Sequence, residues 1–115
     1  YKEREITFEG SMKIGGSISK DFNQYEKLYV YARRAGTQML CEIDLVNNNT
    51  TNFNSFGYVS SSNYFIIHSY EIDYSRQTCT FSSGGYLYAG TNAMTLESAD
   101  SNNEIYRIEG VKKNG

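Results

Sequence analysis

The side chains of this 115-residue chain best suited to contact a ligand are aromatic rings and carboxamides crowded into one stretch: Asn52, Phe53, Asn54, Phe56, Tyr58 and Asn63. Tyr86 and Tyr88 offer two more rings further along. Sugars are held by flat aromatic faces against their C–H surfaces, while amide and hydroxyl groups satisfy their hydroxyls, so this mixture fits a carbohydrate site. The expected ligand-binding set is therefore Asn52, Asn54, Phe56, Tyr58, Asn63, Tyr86 and Tyr88. The competing reading places the same tyrosines at core edges and subunit contacts.

Groups for catalysis are sparser. His68 is the sole histidine and lies mid-strand between Ile67 and Ser69, with no G-x-S-x-G elbow to present a nucleophile. The acids Glu42, Asp44, Glu71 and Asp73 alternate along strand-like runs, where they ordinarily meet water, although two of them at a workable separation would suit glycoside hydrolysis. The run Asp100-Ser101-Asn102-Asn103-Glu104 is rich in oxygen ligands but lacks calcium-loop spacing, so a polar turn is the simpler reading. No metal or other cofactor is expected, and the chain reads as a non-enzyme. Cys41, after Leu40, and Cys79, between Thr78 and Thr80, lie in strand-like runs and read as buried thiols, with one disulfide as the alternative.

The elements that must carry these groups are strands. Eleven tyrosines and six phenylalanines occur with no proline and no tryptophan, and period-two alternation recurs about every ten residues between Gly, Asn and Ser clusters. This predicts an all-β, antiparallel, jelly-roll-like sandwich of about six to eight strands, forming one domain over residues 1–115. Strands are expected at Glu5 to Glu9, closed by Gly10, and at Lys13 to Lys20, followed by a turn over Asp21 to Gln24. The clearest alternation, Leu28, Val30 and Ala32 against Tyr29, Tyr31 and Arg33, predicts a central strand from Lys27 to Arg34. It forms a hairpin with Gln38 to Val46, which sets Met39, Cys41, Ile43 and Leu45 on one face.

The polar run from Asn47 through Tyr58 reads as the long loop of the domain. Strand character returns at Tyr64 to Tyr74, apolar on both faces at its start, and then at Thr78 to Ser82 and Tyr86 to Tyr88, a second hairpin turning at Ser83-Gly84-Gly85. The segment from Thr91 to Asn103 reads as a loop holding a short strand, and Glu104 to Lys112 as the last strand.

The formal charge of −2, with Arg33-Arg34 and Lys112-Lys113 as isolated pairs, argues against a nucleic-acid partner. No apolar run approaches the roughly 18 residues of a membrane helix, so membrane insertion is not expected. Opening on Tyr1 without a methionine, the chain reads as part of a longer protein.

Four segments taken in order, Ile6 to Gly10, Ser17 to Tyr31, Tyr64 to Ile72 and Ile105 to Lys112, resemble the C-terminal domains of tail-fibre and minor structural proteins of phages that infect Gram-positive bacteria. The resemblance covers nearly the whole chain through strand and turn patterns. It implies a β-sandwich head on a homotrimeric fibre or baseplate, attached to other virion proteins and contacting a host cell-surface polysaccharide. It also implies synthesis in a reducing cytoplasm and release in the virion by lysis, which suits unpaired thiols. A virion decoration or fibre-assembly domain without glycan binding is the alternative.

Overall fold

The alternation of Leu28, Val30 and Ala32 places these side chains, all fully buried, on the inner face of strand β3, Tyr25–Arg34. The computed structural model describes residues 3–34, 36–46, 50–59, 64–73, 75–88, 94–96 and 102–113. Within them β3 pairs on one side with β4, Thr37–Asp44, and on the other with β9, Asn103–Lys112. The edge strand β1, Glu5–Lys13, completes this first sheet in the order β1-β9-β3-β4. β3 is thus central and hairpinned to β4, as its sequence predicts.

The second sheet runs β2-β7-β6-β5, with the short β8 added to β7. Its strands are β2, Ser17–Ser19; β5, Thr50–Val59; β6, Tyr64–Asp73; β7, Thr78–Tyr88; and β8, Met94–Leu96. All pairings in both sheets are antiparallel. The two sheets form a β-sandwich. Ile43, Ile105 and Ile108 from the first sheet meet Ile66, Tyr70, Ile72, Cys79 and Phe81 from the second in one buried core. Full burial of each large apolar side chain contributes about 1.5–3 kcal/mol.

The described residues hold nine strands, beyond the six to eight expected, and four expectations need correction. The long loop is a strand from Thr50 onward: β5 pairs residue for residue with β6. Its apolar side chains do not keep to one face, which conceals the period of two. Residues 47–49 lie outside the described part.

The expected turn at Ser83-Gly84-Gly85 lies inside the continuous strand β7. A Cβ at Gly84 would stand 3.2 Å from Ile14 Cδ1 and 3.4 Å from His68 Cδ2, so the glycine there makes room for close packing. β1 runs through Gly10 to Lys13, with register shifts beside β9, instead of closing at Gly10.

The strand expected over Lys13 to Lys20 is a turn followed by the three residues of β2. Gly15 takes the positive φ of 90° that this turn needs, and its N–H donates to the Phe81 carbonyl at 2.7 Å. The turn expected at Asp21 to Gln24 is one 3₁₀ turn, Phe22–Gln24, capped by Asp21, whose carboxylate accepts the Asn23 N–H.

Candidate functional site

Residues at every second position along β5 point to the same side, so Asn52, Asn54, Phe56 and Tyr58 share the outer face of the second sheet, and all four are exposed. In register beside them on β6 stand Glu71, Ser69, Ile67 and Phe65. The rings cluster at one end, with Phe56 63%, Tyr58 50% and Phe65 40% exposed. The Tyr58 and Phe65 centroids are 5.0 Å apart and their planes tilted by 45°. At the other end the Ser69 hydroxyl donates to Asn54 Oδ1 at 2.7 Å. That bond uses the amide as an acceptor and keeps its NH₂ group as a donor.

The platform has firm backing. The inward side chains of β6, Ile66, His68, Tyr70 and Ile72, are fully buried. Beneath the rings, a Cβ at Gly57 would fall 2.8 Å from Met39 Cγ and 3.2 Å from Thr37 Cγ2, so this glycine lets β4 close up between Phe56 and Tyr58. The Cys41 thiol donates to the Asn54 carbonyl at 3.3 Å, tying β4 to β5 a few residues further along. Phe53, between the two amides, instead packs inward against the core.

The structure therefore brings together four of the seven expected residues, on a strand in place of a loop. Asn63 lies outside the described residues. In the backbone register Tyr86 and Tyr88 stand opposite Ile66 and Tyr64 of β6, and their side chains lie outside the described part. Phe65, Ile67, Ser69 and Glu71 also belong to the face. The signal for the first two is the doubly apolar start of β6.

The four acids fall into two pairs, one on each outer face. Glu42 and Asp44 are on the first sheet, where Glu42 pairs with Lys27 at 2.7 Å. Glu71 and Asp73 are on the second. Asp73 caps the turn after β6; the Ser75 hydroxyl and the Arg76 and Ser75 N–H groups hold its carboxyl below the usual range. His68 is fully buried, its Nε2 2.6 Å from Asn103 Oδ1 and its ring 4.9 Å from that of Phe81. It joins β6 to β9 across the sandwich.

Cys41 and Cys79 are both buried and not joined to each other; burial pushes their thiols up to about 11 and about 12. Among the described residues no group of three acids, histidines or cysteines could hold a metal. Of the oxygen-rich run 100–104, Asn103 bonds His68, and Glu104 accepts from Ser11, Arg33 and Lys13.

The outer face of the first sheet has a different chemistry. Tyr31 and Tyr106 stand 6.1 Å apart, Arg4 lies 3.6 Å above the Tyr29 ring and Arg33 4.8 Å above that of Tyr106. Partial burial raises the Glu109 carboxyl, but hydrogen bonds from Arg107, Arg4 and Tyr31 outweigh it and leave it lowered.

Comparison with known proteins returns no matching family model, curated protein or solved structure.

Proposed function

We propose that this chain is a receptor-binding domain of a phage tail fibre or baseplate, attaching the virion to a glycan on the host cell surface. The observation that carries the reading is the outer face of β5 and β6, where three exposed rings stand in line with Asn52, Asn54 and Ser69. Rigid rings supply apolar area at little entropic cost, and adjacent amides supply directional bonds, which is the division of labour that a sugar requires. The phage assignment rests on the strand and turn pattern described above. In this role no covalent step is needed. Several copies, as on a homotrimeric fibre, would multiply a weak single-site affinity.

The test is a pulldown on Gram-positive cell walls with the chain as a monomer and fused to a trimeric scaffold. Retention is expected for the trimeric form and weaker retention for the monomer. Absence of retention in both overturns the reading. The alternative, a virion assembly domain, is favoured by Tyr29, Tyr31 and Tyr106 with Arg4 and Arg33 on the first sheet, the residue types enriched at protein interfaces. Sedimentation of the chain with and without other virion proteins separates the two.

A further inference from the structure

The cations of this chain are unevenly placed. Between Arg34 and Arg107 Arg76 is the only lysine or arginine, so strands β5, β6, β7 and β8 contain neither. Arg76 itself sits in the turn after β6, its Nε 3.7 Å from Asp73. Proteins that hold phosphate or carboxylate polymers do so with arginine and lysine, as point charges or bidentate forks. The face built by β5 and β6 has neither among its described residues. At its amide end it has the carboxylates of Glu71 and Asp73, which repel anions.

Most cations of the first sheet pair with carboxylates: Arg4 with Glu109, Lys13 and Arg33 with Glu104, Lys27 with Glu42, Arg107 with Glu9 and Glu109, and Lys112 with Glu5; Arg34 instead donates to the Tyr64 hydroxyl at 3.0 Å.

The face is also long. From Asn52 to Tyr58 the strand advances six positions, about 20 Å at the usual rise per residue. Stacking surface occupies one end and hydrogen-bonding groups the other, so a single sugar ring resting on Phe56 and Tyr58 leaves Asn52 and Glu71 beyond its reach. A ligand that uses both ends must be a chain.

We infer that the ligand is an uncharged, extended polysaccharide lying along β5 and β6, with one segment stacked on Phe56, Tyr58 and Phe65 and a later segment bonded by Asn52, Asn54 and Ser69. This rests on the glycan reading above and narrows it: anionic wall polymers and single terminal sugars are both excluded.

The experiment is affinity electrophoresis of the full chain through gels containing uncharged glucans, galactans, mannans or rhamnans, beside gels containing poly(glycerol phosphate) or hyaluronate. Retardation is expected in at least one uncharged gel, unchanged when salt is raised several-fold, since no ion pair is involved. The double variant Phe56→Ala/Tyr58→Ala should lose about tenfold in affinity, about 1.4 kcal/mol, while melting like the parent, because both rings are exposed. Oligosaccharides of several units should compete, and the corresponding monosaccharide should not.

Retardation by the anionic polymers that fades with salt, or competition by the monosaccharide as strong as by the oligomer, overturns the inference and leaves glycan binding standing. Retardation in no gel, charged or uncharged, overturns both.

Discussion

Glu104 has a strongly lowered carboxyl among the described residues. It accepts hydrogen bonds from Ser11, Arg33 and Lys13 at the junction of β1, β3 and β9, and these hold its carboxyl down to about 2 against an ordinary 4.5. A carboxyl lowered in the folded state stabilises the fold above the unfolded pKa, and this stabilisation is lost as pH falls through the folded one. Urea unfolding of the parent should therefore show stability declining from about pH 4.5 towards 2. Glu104→Gln should be less stable at neutral pH and flatter across that window. Equal slopes for the two would contradict the assignment.

Two other residues show the limits of reading sequence one position at a time. His68 looks like a catalytic candidate only because it is the sole histidine; its partner, Asn103, is 35 residues away and no local pattern announces it. Asn52 and Asn54 stand out as possible ligand contacts but also disguise their strand, because carboxamides usually signal turns.

Elements are most legible where buried and outward side chains alternate, as in β3 and β4. β3, β4, β6 and β9 all lie within two residues of their expected bounds; β3 and β4 alternate cleanly, while β6 starts apolar on both faces and β9 buries Ile105, Ile108 and Val111 at intervals of three. β5 and β7 break that rule for opposite reasons. β5 exposes Phe56 and Tyr58 and turns Gly57 inward, whereas β7 buries Gly84 where a Cβ would crowd Ile14 and touch His68.

Glycines within strands thus mark close approach as often as they mark turns, and Gly110 is the strongest instance. A Cβ there would lie 2.5 Å from the Tyr25 ring, itself fully buried with its hydroxyl 2.6 Å from Glu5 Oε1. Gly110→Ala should cost about 1–3 kcal/mol in chemical denaturation by overpacking β9 against Tyr25. Gly36→Ala, which meets nothing within 4 Å, should stay within about 0.5 kcal/mol of the parent. The same cost for both would mean that the ring moves aside freely.

For the whole molecule, the division into two unlike outer faces matters most. The first sheet carries ion pairs threaded through tyrosines, and the second carries exposed rings, amides and hydroxyls with no lysine or arginine in strands β5 to β8. Composition alone gives a nearly neutral, tyrosine-rich protein; the separation emerges only once the chain is folded into layers.

The core between the faces is closed to reagents. With both thiols buried and raised to about 11 and about 12, iodoacetamide near pH 8 should leave the native chain unmodified and label both cysteines after unfolding, so labelling reports global opening. Rapid labelling of Cys79 in the folded chain would contradict its place in the core.

The position of β9 also dictates an order of assembly in time. The strand made last of the nine is inserted between β1 and β3, near the beginning of the chain, whereas β5, β6 and β7 are consecutive neighbours. During synthesis the second sheet can therefore zip from local hairpins as soon as it leaves the ribosome. Until residues 103–112 emerge, β1 has no partner and β3 is open on one side, with its inner row of Leu28, Val30 and Ala32 lacking Ile105 and Ile108 beside it. A ribosome stalled just short of that point would hold a half-built sandwich, with the β5–β6 face formed and the opposite layer still a template for any stray strand.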